Sequence, residues 1–305
     1  MALGIALLVY LIKQVDAPEV WRTLVGTGAW LPLLAALEAV QLFTDTAAFA
    51  GLIASARPIP TRGWLRSSAG SYLCLVLLPA GRALGEAARA VLATPYVGAR
   101  RAAMAGAELQ AVALLADGVV TLAAACAAMF AVGSSQHLAS ALFGIFGLVT
   151  FSGVALLFLV RNPRAGRWLR RTIPRLARFF PEGVSGSHGS VWPATTWSIF
   201  GRGVQVVQYG VAILAVGGNF GVKSALIAHG IHMVGATVGV AVPNQVGVGD
   251  GAYVLFAQAL GFASEPARAL AAVLAVRCAQ LLLAAACVSV LALLREQSPT
   301  PSPAC

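Results

Sequence analysis

The stretch "LPAGRALGEAAR", Leu78 to Arg89, decides how this chain folds. Taken alone it reads as the start of a charged surface helix. Its flanks are apolar, which places Arg82, Glu86 and Arg89 at membrane depth, where each charge costs several kcal/mol unless paired or hydrated. Pro79, Gly81 and Gly85 are helix breakers at the middle of an apolar stretch running from 67 to 93. Each arm of that stretch has about a dozen residues, too short for a full span at a rise of about 1.5 Å per residue. The expected form is a re-entrant hairpin with this stretch at its tip.

The composition agrees. The chain has 305 residues, of which 59% are hydrophobic and 10% charged, with mean hydropathy +0.82. Soluble domains carry about a quarter charged residues, so the pattern is that of a polytopic membrane protein. Runs at 30–53, 109–132, 138–160, 192–216 and 269–294 approach or exceed the roughly 20 residues that span a bilayer as a helix. Residues 1–12 are apolar but short and read as an uncleaved first span, with no basic segment before them and no A-x-A site after.

The net charge of +10 does not point to nucleic acid, because its distribution is topogenic. Seven arginines fall between Arg161 and Arg178, in a short loop without an aromatic platform or DNA-reading motif. Basic residues concentrate in cytoplasmic loops, so this loop is expected inside. Alternation then places thirteen basic residues inside, four outside (Lys13, Arg22, Lys223, Arg268) and four within apolar segments (Arg82, Arg89, Arg202, Arg277). Gly133 to His137 and Gly217 to Gly221 become external turns. Cys74, Cys126, Cys278, Cys287 and Cys305 have neither metal spacing nor a disulfide pattern, and read as small packing residues.

A second interruption, "VPNQVGVGDGAY" at Val242 to Tyr253, echoes the first. Pro79 is followed seven residues later by Glu86, after Gly85. Pro243 is followed seven residues later by Asp250, after Gly249. One enters from inside and the other from outside, which is the pattern of an inverted repeat with broken helices meeting near the midplane. The expected fold is therefore an all-α integral membrane protein with about six full spans and two re-entrant or broken helical hairpins arranged as an inverted repeat. It forms one domain over 1–295, with a basic cytoplasmic loop at 161–190 and a disordered tail at 296–305.

The intramembrane charges are the candidate site. Arg82, Glu86 and Arg89 stand at i, i+4 and i+7, one face of a helix. Free N–H groups at the start of that helix add to the arginines as an anion site. Glu86 would orient the arginines or take up a proton as a substrate leaves. In the second break, Asp250 sits among glycines with Asn244 and Gln245 as polar lining, and Arg277 in the last helix is its expected ion partner. Arg202 has Glu38, Asp45 or Asp117 as partners, and spacing does not choose among them. Glu108 reads as interfacial. His229 and His232, at i and i+3, lack a third ligand, so packing or cavity lining is expected and no metal is assigned. No G-x-S-x-G, HExxH, Walker loop or Rossmann glycine pattern occurs, so no catalytic residues and no cofactor are assigned.

On these residues the sequence resembles the lysylphosphatidylglycerol synthase transmembrane (flippase-like) family. "LPAGRALGEAARAVL" resembles its P-x-R-x-G-E-x-x-R segment, "VPNQVGVGDGAYVLFAQALG" resembles its P-x-x-x-G-x-x-E-G segment, and "AVLAVRCAQLLLA" resembles its arginine-bearing last helix. The acid-Gly-aromatic order of the second segment is similar to that of the hopanoid-associated branch. Two departures stand out: Asp250 replaces the usual glutamate, and the family's double glycine near Gln245 is missing. The matching positions are Pro79, Arg82, Gly85, Glu86 and Arg89, then Pro243, Gly247, Asp250, Gly251 and Arg277.

The resemblance implies movement of a lipid between leaflets, with arginines holding a headgroup phosphate, acids balancing that charge and glycines opening the backbone to a hydrated cavity. The soluble aminoacyl-transferase domain of bifunctional members has no counterpart in this sequence, so lysyl transfer is not expected and the chain is not expected to be an enzyme. The expected activity is that of a lipid translocase for an anionic or amphipathic lipid. An accessory scaffold for lipid-modifying enzymes and a small-solute secondary transporter are the alternatives. Expected partners are membrane lipids, with a homo-oligomer or a lipid-modifying enzyme beside them and no nucleic acid. The expected location is the inner (cytoplasmic) membrane, both termini inside.

Overall fold

Large apolar side chains point outward along the longest helices. Phe143, Leu148, Phe151, Val154 and Phe158 form an exposed stripe at helical spacing, with Phe151 74% exposed. Soluble monomers rarely show contiguous apolar surface of this kind, and a bilayer removes the penalty. The structure is a computed structural model that describes residues 2–53, 59–130, 135–162, 164, 165, 172 and 190–296. The basic loop between Arg161 and Ser190, save Asn162, Arg164, Ala165 and Thr172, and the tail after Glu296 lie outside the described residues.

The described residues form helices and no strands. In chain order these are α1 (Ala2–Gln14), α2 (Ala17–Gly26), α3 (Leu31–Leu52), α4 (Thr61–Leu77), α5 (Gly81–Val97), α6 (Ala99–Met129), α7 (Ser135–Arg161), α8 (Val191–Ala215), α9 (Val222–Val238), α10 (Val248–Leu255) and α11 (Pro266–Glu296). Short 3-10 turns at Thr27–Trp30, Pro243–Gln245 and Ala257–Leu260 punctuate the ends.

Among the described residues, four helical stretches are long and apolar enough to cross a membrane: Ala17–Leu52, Ala99–Met129, Gln136–Arg161 and Pro266–Leu294. That is fewer than the six full spans expected. α8 has 25 residues, but Arg202, Gln205 and Gln208 lower its apolarity. Residues 1–12 extend into α1, which then turns at Val15 and Asp16 into a separate helix. α6 begins ten residues before the apolar run does, taking Arg100 and Arg101 into its first turns. Of the turn expected at Gly133 to His137, Ser135 to His137 belong to α7, and residues 131–134 lie outside the described residues.

The arms of the first break are also longer than a dozen residues: α4 and α5 have 17 each. At about 1.5 Å per residue this gives about 25 Å, still short of a hydrocarbon core of about 30 Å. Polar residues at both ends, Thr61 and Arg62 on one side and Thr94 and Tyr96 on the other, continue the helices past the apolar window.

The packing order repeats. α3 lies against α8; α4 packs on α5 and on α11, as α9 packs on α10 and on α6. α5 rests on α6 as α10 rests on α11, and α6 touches α8 as α11 touches α3. Exchanging α3 with α8, α4 with α9, α5 with α10 and α6 with α11 therefore maps the α3–α8 contact onto itself and each of the other contacts just named onto another. α6 and α11 each bury many alanines against their neighbours, including Ala105, Ala113, Ala116 and Ala124 on one and Ala271, Ala272, Ala275 and Ala279 on the other. In lipid there is little hydrophobic drive between helices, so close approach of small residues supplies the packing energy.

Candidate functional site

The first break is forced by local chemistry. Pro79 has no N–H to continue α4, Leu78 turns extended, and Ala80 adopts a left-handed conformation at φ 50°, ψ 35°. Gly81 follows, where an added Cβ would lie 2.0 Å from the Leu75 carbonyl oxygen, so no side chain fits. The chain can then reverse tightly, with α5 lying along α4.

The second break is wider. α9 ends at Val238, and Asn244 (φ 46°), Gln245 (φ 54°) and Gly247 (φ 81°) all have positive φ before α10 starts. Non-glycine residues in this region are strained by about 1–3 kcal/mol each and persist only when held. Arg277 holds them. Its guanidinium donates to the carbonyl oxygens of Asn244 and of Gln245, the latter at 3.1 Å, while its Nε donates to Asp250 Oδ1 at 2.8 Å. Asp250 Oδ2 accepts the Gly247 N–H at 2.7 Å, capping α10. Both oxygens of this fully buried carboxylate are thereby occupied.

The two breaks meet. The Ala80 N–H donates to the Val240 carbonyl oxygen at 2.9 Å. Beside this contact lies a cavity of about 300 Å³ bounded by α3 to α9, α11 and the second break.

Arg82, Gly85, Glu86 and Arg89 line the cavity, together with Glu38, Asp45, Asp117 and Arg202. Asn244 and Gln245 reach it; Gly247, Asp250, Gly251 and Arg277 are not among its lining residues. The second group from the sequence analysis therefore shapes the wall from behind, with Asp250 and Arg277 bonded to each other and to the break's backbone.

The three charges on one face of α5 do not act as a unit. Arg82 reaches Asp117 Oδ2 at 3.2 Å, while Arg89 turns to Glu86 at 3.4 Å. Arg89 is 2% exposed, donates to Thr46 Oγ1 at 3.0 Å and stands over the Phe49 ring. Arg202 settles on Asp117, with Nε 2.6 Å from Oδ1, and donates to Gln205 at 3.0 Å. Of the three partners open to it, the structure selects Asp117. That carboxylate thus sits between two guanidiniums. Arg82 keeps 31% of its side chain exposed, against 2% and 6% for Arg89 and Arg202, and its Nε has no hydrogen-bond partner among the described residues. It is the guanidinium most available to a ligand.

Glu38 takes part in a different network. Its two oxygens accept hydrogen bonds from the Tyr72 hydroxyl at 3.0 Å and the Gln208 amide at 2.9 Å, and Tyr72 also reaches the Gln280 carbonyl at 3.3 Å. The acid ties together α3, α4, α8 and α11. Glu108, read from sequence as interfacial, is 1% exposed and accepts from Arg161 at 2.9 Å. His232 lines the cavity and stacks on Tyr209, with ring centroids 4.9 Å apart; His229 is fully buried.

Several polar residues of the site were not singled out from sequence: Gln41, Gln110, Gln205, Gln208, Tyr72 and Gln280. A signal for some existed. Glu38, Gln41 and Asp45 recur at helical spacing on α3, as do Arg202, Gln205 and Gln208 on α8. Each is a polar stripe on an otherwise apolar helix, which marks the face turned to a cavity.

The sequence model of the family described as "Lysylphosphatidylglycerol synthase TM region" matches residues 1–287. The chain belongs to this family. No curated protein and no solved structure matches it. Membership in the lysylphosphatidylglycerol synthase transmembrane family, with the apolar helices above, makes this a membrane protein with a lipid-related role. Both breaks and Arg277 lie inside the span matched to the family.

Proposed function

We propose that the chain moves a phosphate-bearing lipid between leaflets through the cavity at its two breaks. The observation that carries this reading is Arg82: it faces the cavity, is partly exposed, and shares its one carboxylate with Arg202. A guanidinium with unused donors suits phosphate oxygens, which it binds through paired hydrogen bonds. The broken helices add backbone polar groups where an unbroken helix would present none, tolerable at membrane depth only beside protein or water. The headgroup would cross beside Arg82 while the tails remain in the bilayer.

In this reading α4 and α5 form a re-entrant hairpin from the cytoplasmic side, and the segment around α9 and α10 enters from the other side. The protein sits in the inner membrane with both termini inside. The expected acid-balancing role of Glu86 fits its contact with Arg89.

A small-solute secondary transporter is the second reading, favoured by the cavity's volume of about 300 Å³, which suits a headgroup-sized molecule without tails. Reconstitution separates the two. Purified protein in vesicles with headgroup-labelled phosphatidylglycerol is expected to bring outer-leaflet label inward, and Arg82→Ala and Glu86→Gln are expected to stop this while expression persists. Normal transfer in both variants rejects the site. No transfer by the wild type rejects the translocase and leaves the transporter or an accessory role.

A further inference from the structure

The charges around the cavity do not balance. Three guanidiniums, Arg82, Arg89 and Arg202, face four carboxyl groups, Glu38, Asp45, Glu86 and Asp117. Asp117 takes two of the guanidiniums and Glu86 takes the third. Glu38 has no guanidinium, but both its oxygens are filled by Tyr72 and Gln208. Asp45 has neither an ion pair nor a side-chain hydrogen bond among the described residues, and it is half-buried on the cavity wall.

An anion entering this cavity meets a wall that already carries an excess acid. We propose that Asp45 takes up a proton as the phosphate arrives, so that anion movement is coupled to proton movement. This rests on the reading of the cavity as a site for a phosphate-bearing lipid.

The neighbours of Asp45 set the direction. From α5 come Arg82, Glu86 and Arg89; from α6, Asp117; from α8, Arg202. Tyr72 of α4, His232 of α9 and Glu38 of its own helix complete the titratable lining, and α11 contributes only the neutral Gln280. With the cavity empty, Arg82 and Arg89 share the cavity lining with Asp45 without pairing with it. When a phosphodiester engages Arg82, that charge is compensated, and a second anion stands near the carboxylate. Two like charges in a low-dielectric site do not both remain ionised, and the proton goes to the group with the fewest hydrogen bonds to its charged form. That group is Asp45. A proton from water joins one carboxylate oxygen, no other bond changes, and one proton for one singly charged phosphodiester leaves the cavity's net charge as it was.

The test is calorimetric titration of purified protein with short-chain phosphatidylglycerol, at one neutral pH, in buffers of different ionisation enthalpy. The slope of binding enthalpy against buffer enthalpy counts protons. Uptake of about one proton per lipid is expected in the wild type, and none in Asp45→Asn. Asp45→Glu is expected to restore it, and thermal melting confirms that both variants are folded. Lipid binding without proton uptake in the wild type overturns the coupling and leaves the lipid site standing. Uptake that persists in Asp45→Asn overturns the assignment to this residue. No binding of lipid by the wild type removes the site, and the coupling with it.

Discussion

The backbone N–H of Ala80 donates to the carbonyl oxygen of Val240, joining the two breaks of the chain at 2.9 Å. A single hydrogen bond of this kind contributes a net of about 1 kcal/mol. It is enough to register the two halves and too little to lock them together.

If the breaks part during transport, a covalent link between them stops it. The pair Ala80→Cys and Val240→Cys, with Cys74, Cys126, Cys278, Cys287 and Cys305 replaced by alanine, is expected to cross-link under mild oxidation or with a short bifunctional reagent. Lipid transfer is expected to fall to background and to return on reversal with reductant. Transfer at the uncross-linked rate in a fully cross-linked sample would mean that the breaks move as one piece.

The reversal at Gly81 predicts a sharp contrast between two glycine substitutions. Gly81→Ala drives a methyl into the Leu75 carbonyl and is expected to destabilise by about 1–3 kcal/mol, the range for overpacking. Gly203→Ala, on the exposed side of α8, meets nothing within 4 Å. It is expected to be neutral or to stabilise by up to about 1 kcal/mol, because alanine is the better helix former. Thermal melting of the two purified variants checks both signs.

Asp250 and Arg277 are buried against each other and hold the second break. Removing either alone leaves an uncompensated buried charge, which costs about 3–5 kcal/mol. Asp250→Ala and Arg277→Ala are each expected to lower stability by an amount in this range. The double variant is expected to lose much less than the sum of the two. A double-mutant cycle on detergent-solubilised protein measures the coupling directly.

Arg82 and Arg89 lie on one helix but should separate function from stability. Arg89 is enclosed by Glu86, Thr46 and Phe49, so Arg89→Ala is expected to lower the melting temperature markedly. Arg82 is partly exposed to the cavity, so Arg82→Ala is expected to abolish transfer with a much smaller shift in melting. Equal shifts in both would remove the distinction drawn between them.

The positions of the breaks were legible in the sequence because proline and glycine act locally: Pro79 and Pro243 interrupt helices whatever lies around them. The Asp250–Arg277 pair was legible too, since a lone acid in a glycine-rich break needs a cation and few were in reach. The choice of Asp117 for both Arg82 and Arg202 was not. It depends on how far α5, α6 and α8 are rotated about their axes, which no local pattern encodes. Arm length was misjudged for a related reason: an apolar window ends at the first charges, yet Thr61 and Arg62 extend α4 at no cost where a helix end meets water. The polar stripe of Glu38, Gln41 and Asp45 was present in the sequence, but averaging hydropathy along α3 conceals it.

α11 joins the second break to the arm of the first within a single turn. Arg277 grips the carbonyls of the second break, and three residues further on the Gln280 carbonyl accepts the hydroxyl of Tyr72 from the arm of the first. Ala284 and Cys287 then pack with Ala69, Tyr72 and Val76 of the same arm. About 5 Å of stiff backbone separates these two contacts, so a displacement of α4 in transport is expected to be carried to the second break. Any coupling between an occupant beside α4 and the state of α10 would then be reciprocal.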